Sequence, residues 1–208
     1  MKFAAIGVRA HSGWGAVIAV SGDATALEIV ARSRISVVDP KMQGPFQPYH
    51  RAASKTLPDA QKYLAQCATD CEGFAVTALQ QLQDELRAGG HRLVGCAVLT
   101  GSGRAMPPLE KILAAHLLLH TAEGIFFRQV FKNAFEKLGL RVAAIPERDL
   151  DEHCKAAFGK KASGVRGKIA RMGKKLGPPW TTDQKLAAQA AWIILAAKKS
   201  LGQGHARR

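Results

Sequence analysis

From Leu27 to Val38 apolar and polar positions alternate. Ile29, Ala31, Ser33, Ile35 and Val37 fall on one side, and Glu28, Arg32, Arg34 and Ser36 on the other. That period of two predicts a half-buried antiparallel strand. Two apolar runs precede it, Phe3 to Val8 and Ala16 to Val20, with His11-Ser-Gly-Trp-Gly15 reading as the turn between them and Ser21-Gly-Asp23 as a hairpin signal. Three consecutive strands therefore open the chain. A loop rich in Pro and Gly runs from Asp39 to about Leu57. Pro58 to Arg87 then reads as a long helix, with Tyr63, Cys67, Phe74, Leu79, Leu82 and Leu86 near helical spacing and Gly89-Gly90 ending it. Leu93 to Leu99 is a continuous apolar run of the kind buried on both faces. Leu109 to Leu138 predicts a second long helix, stopped by Gly139, and Leu140 to Ile145 a fifth strand, stopped by Pro146. Two or three helices follow, the last from about Thr182 to Lys199, which Thr181 or Thr182 can cap. The order is β-β-β-α-β-α-β-α, a mixed five-stranded sheet of three antiparallel strands and then two parallel ones, flanked by helices.

Charge changes the picture at one end. The chain of 208 residues carries a net charge of +14, yet residues 1–103 hold an excess of only two positive charges and residues 104–208 an excess of twelve. Eight Lys or Arg lie between Lys155 and Lys175, and no Asp or Glu falls between His153 and Thr182. A Lys-rich helix can be no more than a solvated face. Without compensating acids over 28 residues, the block reads instead as a surface for a polyanion. Its candidate phosphate contacts are Lys160, Lys161, Arg166, Lys168, Arg171, Lys174 and Lys175. Trp180 and Trp192 stand near enough to stack on bases, but Trp192, in an Ala-rich stretch with Ile193-Ile-Leu195, reads as core.

Element order and two local stretches carry a resemblance. Ile6-Gly-Val-Arg-Ala-His-Ser-Gly-Trp-Gly-Ala-Val-Ile18 looks like the first hairpin of RuvC-type Holliday-junction resolvases, members of the ribonuclease H-like superfamily. Gly167-Lys-Ile-Ala-Arg-Met-Gly-Lys-Lys-Leu-Gly-Pro-Pro179, followed by Asp183 to Ala197, is similar to their C-terminal end. The resemblance implies two divalent cations held by carboxylates from strand one, the end of strand four and the last helix, where they place the water that attacks phosphorus. This chain departs from that pattern. Phe3 to Arg9 contains no acid, and strand four ends Val98-Leu-Thr100, again without one. Asp183 stands near the last helix, and Gln189 where a second acid would fall. The expected protein is catalytically degenerate: residues 1–150 form a ribonuclease H-like core, and residues 151–208 a basic helical region that completes the same domain. It binds DNA or RNA, with no catalytic residues and no cofactor assigned.

Other constellations support a second reading, an enzyme with a non-standard site. His116, His120 and Glu123 share one face of the second long helix, a spacing that can ligate zinc or iron. The sequence offers no obvious further ligand, so satisfied histidines and a helical ion pair are expected there, and no metal. Glu147, Asp149, Asp151, Glu152 and His153 cluster after strand five, where α/β sheets place sites, although acids also favour a helix N-terminus. Thr100-Gly-Ser-Gly-Arg104 could cradle phosphate but lacks the lysine of a nucleotide-binding loop, and an ordinary connection is expected. A third reading is a module whose basic face meets an acidic protein. Cys67, Cys71, Cys96 and Cys154 form no metal or disulfide framework and read as reduced, buried thiols of a cytoplasmic protein. No apolar run reaches a membrane span, and the first residues do not make a signal peptide. A homodimer is compatible with the sequence.

Overall fold

The computed structural model describes residues 1–23, 26–39, 41, 46–101, 103 and 105–203, with side chains as far as Ala197. Its sheet has the strand order β3-β2-β1-β4-β5, from β1 (Lys2–His11), β2 (Trp14–Gly22), β3 (Leu27–Ser36), β4 (His91–Thr100) and β5 (Val142–Pro146). The first three strands are antiparallel, and β4 and β5 add in parallel. The first turn is as tight as the glycines allow. His11 pairs with Trp14, and Gly13 takes φ 81°, a left-handed conformation that glycine adopts without strain.

One strand departs from the expected alternation. The β2–β3 register shifts between Ala19 and Val20, skipping Val30. Below the bulge Ala31 and Ile35 face one layer of helices, while Leu27 and Ile29 face the other. An inserted residue inverts every side chain beyond it, so the apolar positions of β3 serve two cores.

The helices are α1 (Pro48–Ala52), α2 (Leu57–Ala88), α3 (Leu109–Leu113), α4 (His116–Lys137), α5 (Leu150–Phe158), α6 (Val165–Leu176) and α7 (Thr182–Gln203). Helix α2 buries Ala60, Leu64, Cys67, Cys71, Ala75, Leu79, Leu82 and Leu86, a stripe with spacings of three and four. Phe74 lies off that stripe and is 38% exposed, contrary to its expected place on it. Together α2 and α4 cover one face of the sheet. The other face belongs to α7, whose Ala187, Ala188, Ala190 and Ala191 are wholly buried. Small residues let this helix lie very close. A Cβ on Gly7 of β1 would stand 1.9 Å from the Ala187 carbonyl oxygen. Trp192 fills the space left, fully buried, and its indole N–H donates to the Asp23 carbonyl at 2.9 Å.

The single helix expected over 109–138 is two. Ala115 is extended (φ −132°, ψ 112°) although alanine favours helix, because α3 folds back on α4 and buries Ile112 beside Leu119 and Ala122. Helix α1 stands inside the segment expected to be a loop. No helix among the described residues is long and apolar enough to cross a membrane.

All four cysteines are free and buried. Burial, with Cys67, Asp70 and Glu72 nearby, pushes the Cys71 thiol from its ordinary 9.0 up to about 12. Burial raises Cys96 as well. Thiols that stay protonated when folded but ionise when unfolded favour the unfolded chain as pH rises. The melting temperature is therefore expected to fall from pH 9.0 towards 12, and to fall less in Cys71→Ala. At neutral pH a thiol reagent should leave the native protein unmodified and modify all four cysteines after denaturation.

Candidate nucleic-acid interface

Along β1, Ile6 and Val8 enter the core beneath α2 and α4, while Ala5 and Gly7 face α7. The alternation carries Arg9 and His11 to the α7 side, at the strand's C-terminal end. There the first turn of α7 brings Asp183, and the end of β5 brings Glu147. Arg9 bridges the two acids. Its Nε donates to Glu147 Oε1 at 2.9 Å, its second amino group donates to Oε2 at 3.1 Å, and its first donates to Asp183 Oδ1. All three side chains are about three-quarters buried, at 26%, 31% and 24% exposed for Arg9, Glu147 and Asp183. The hydrogen bond to Glu147 raises the Arg9 pKa most, with burial opposing it.

The network continues outward. His11 Nε2 lies 3.1 Å from Asp183 Oδ2. Its ring stacks on Trp14 with centroids 4.3 Å apart, and the exposed Arg34 guanidinium covers the other ring at 3.7 Å. On the opposite side of the strand ends, Arg128 of α4 enters a cavity of about 590 Å³ lined by Thr100, Gly101, His120, Lys132 and Ala144. Gly101 and Gly124 make room for it, since a Cβ on either would stand 3.3 or 3.1 Å from its Nη1. Burial lowers the Arg128 pKa, opposed by the charge of Glu147. It has no hydrogen-bonded acid among the described residues. Among the described residues, the guanidiniums of Arg9, Arg34 and Arg128 thus stand beside the carboxylates of Glu147 and Asp183.

The seven candidate phosphate contacts divide between a 3₁₀ turn, Gly159–Gly164, and α6. Lys160 and Lys161 are exposed on the turn. Helix α6 buries Val165 and Ile169. Lys168, Arg171 and Lys175 share one flank by their spacing of three and four, with Lys168 half-buried. Lys174 is exposed on the side opposite Val165. Arg166 lies on the other flank and pairs with Asp151 at 2.7 Å, so its guanidinium is already engaged. The end of α6 is fixed to the sheet by Arg32, which donates to the carbonyls of Leu176, Gly177 and Pro179 at 3.3, 2.9 and 2.9 Å. Arg34 lies two residues further along β3. Arg32 thus ties the segment that follows Lys174 and Lys175 to the strand that carries Arg34, on the cationic edge of the sheet.

Trp180 donates to the Ile169 carbonyl at 2.9 Å and packs over Gly173, so it braces α6. The acidic cluster splits by role: Glu147 joins Arg9, while Asp151 and Glu152 occupy the first turn of α5. Gln189 is buried at 2% exposure beside the Cys154 thiol, away from Asp183. Of the loop Thr100–Arg104, Ser102 and Arg104 lie outside the described residues. His116 and His120 do meet, joined by His50 of α1, whose position in an expected loop hid it from sequence reasoning. The pairing of Arg9 with Glu147 was equally hidden, since 138 residues separate the two.

No protein-family model matches the chain, and no curated protein sequence does. Solved structures do match. Thermus thermophilus RuvC in complex with a Holliday junction substrate is 10% identical, with a TM-score of 0.54 over 95% of this chain and 96% of that one. A Thermus thermophilus RuvC structure is 8% identical, with a TM-score of 0.53 over the same shares. At such identity the likeness concerns the fold, and the fold of this chain is the ribonuclease H-like fold of RuvC.

Proposed function

We propose that this protein binds nucleic acid through its cationic edge and does not cleave it. The observation that carries this reading is Arg9, held between Glu147 and Asp183. The resemblance places divalent cations among carboxylates of strand one, strand four and the last helix. Here strand one contributes a guanidinium and strand four ends in Thr100. A guanidinium supplies one positive charge and five donors, satisfies the two acids, and cannot lower the pKa of a bound water as a metal does. The acids are spent on an internal ion pair, and the surrounding cations are left to face phosphates. Lys160, Lys161, Lys168, Arg171, Lys174 and Lys175 contribute most of that field, with Arg166 shared with Asp151. Binding of this kind reads backbone and shape rather than base edges.

Branched DNA is the first ligand to test, because a structure of the same fold holds a Holliday junction. Junction, duplex and single-stranded DNA, and RNA, are each titrated at low salt, then incubated with Mg²⁺ or Mn²⁺. Retention without strand scission is expected. Metal-dependent scission that disappears in Asp183→Asn would overturn the reading, as would absence of binding to all four.

A further inference from the structure

We propose that His50, His116 and His120 form a binding site for a divalent transition metal of the zinc class, with Glu123 as its positioning residue. The site goes beyond the nucleic-acid reading and does not depend on it. Helix α1 places His50 opposite the first two turns of α4, where His116 and His120 stand four residues apart on one face. One ring nitrogen from each histidine lies within 4.8 Å of the other two. The ring centroids are 4.6 to 5.4 Å apart. Tetrahedral zinc–nitrogen bonds bring such nitrogens to about 3.3 Å of one another. The exposed side chains of His116 and His120 can rotate by that difference.

Glu123 supplies the second observation. It is 3% exposed, and its Oε1 accepts from the Tyr49 and His50 backbone N–H groups at 3.0 and 3.2 Å. The same oxygen lies 3.0 Å from His50 Nδ1. A carboxylate there fixes the proton on Nδ1 and leaves Nε2 with its lone pair, the arrangement by which acids orient metal-binding histidines. The other oxygen, Oε2, is buried with no hydrogen-bond partner among the described residues. A carboxylate so enclosed is costly unless positive charge stands close by. A divalent cation on the far nitrogen of His50 provides it. Glu123 is thus a support for a ligand and not a ligand itself, which differs from its expected place beside His116 and His120. Three imidazoles select zinc, cobalt, nickel or copper over magnesium, which prefers oxygen. The described residues offer three protein ligands, so water completes the shell. His120 also lines the cavity that holds Arg128, placing the metal at its rim.

The full chain, stripped with a chelator and desalted, is titrated with Zn²⁺ by calorimetry and with Co²⁺ by absorption. One equivalent should bind with sub-micromolar affinity, and the cobalt spectrum should be that of nitrogen and oxygen ligands. His116→Gln and His120→Gln, on exposed side chains, should keep the fold and abolish tight binding. Glu123→Gln should weaken it roughly 10–100-fold if the variant folds. Failure to bind Zn²⁺, binding unaltered in His116→Gln and His120→Gln, or a thiolate-to-cobalt charge-transfer band would each overturn the proposal.

Discussion

Arg9→Asp should lower stability by about 3 kcal/mol in metal-free buffer, and millimolar Mg²⁺ or Mn²⁺ should restore part of that loss. In the native protein one guanidinium satisfies two largely buried carboxylates, bidentately at Glu147 and singly at Asp183. Charge-assisted bonds of this kind are worth more than neutral ones, and removing one partner strands the others. The aspartate adds a third negative charge to two that have just lost their counter-ion. For a chain of this size each kilocalorie moves the melting temperature by about 2–4 °C, so a fall of roughly 10 °C is expected. Three converging carboxylates are then a set of oxygen ligands for a hard cation. A ligand at 10 to 100 times its Kd returns about 1.4–2.7 kcal/mol.

Arg9→Met separates the two effects. It loses the ion pairs but adds no acid, so it should be destabilised with a smaller response to metal. The unaltered protein should show no metal-dependent shift at this site, since its acids already have their cation. Thermal melts of the three proteins with and without Mg²⁺ decide the matter. An Arg9→Asp protein as stable as the parent would mean that the ion pairs contribute little. A variant indifferent to metal would mean that Glu147 and Asp183 stand too far apart to share a cation.

Local periodicity and turn residues specify strands and helices, and here they placed all five strands and the long helix α2. They do not report a bulge, so the exchange of β3 between two cores at Val30 was not legible. Nor do they report tertiary packing strong enough to break a helix at an alanine, as at Ala115. The missing acids of strands one and four could be seen in the sequence. What stands in their place could not. Arg9 was visible as the last charged residue of an apolar run, but its meaning depends on Glu147 and Asp183, brought to it by β5 and α7. His50 offers the same lesson. A histidine in a Pro- and Gly-rich segment carries no signal until a five-residue helix places it against α4.

Lys160→Gln, Lys161→Gln, Lys174→Gln and Lys175→Gln combined should flatten the salt dependence of nucleic-acid binding by a few units. Each phosphate that a lysine neutralises releases condensed counterions, contributing about −0.9 to the slope of log affinity against log salt on duplex DNA. Four engaged lysines thus account for between three and four units. The four side chains are exposed, so their loss should change the melting temperature little. Weakening should be alike for all sequences, because phosphate contacts carry no base information. Arg166→Gln is the informative contrast. Its guanidinium already meets Asp151, and binding must break that pair, so it should alter the slope less than any one of the four lysines. Titrations of mixed-sequence DNA at several salt concentrations give all the slopes. Equal slopes for the parent and the fourfold variant would place the phosphates elsewhere, on Arg34 and Arg128 at the strand ends. A parent protein that binds nothing at low salt would reduce the basic block to a solvated helix face, and would leave an acidic protein as the partner that its charge could serve.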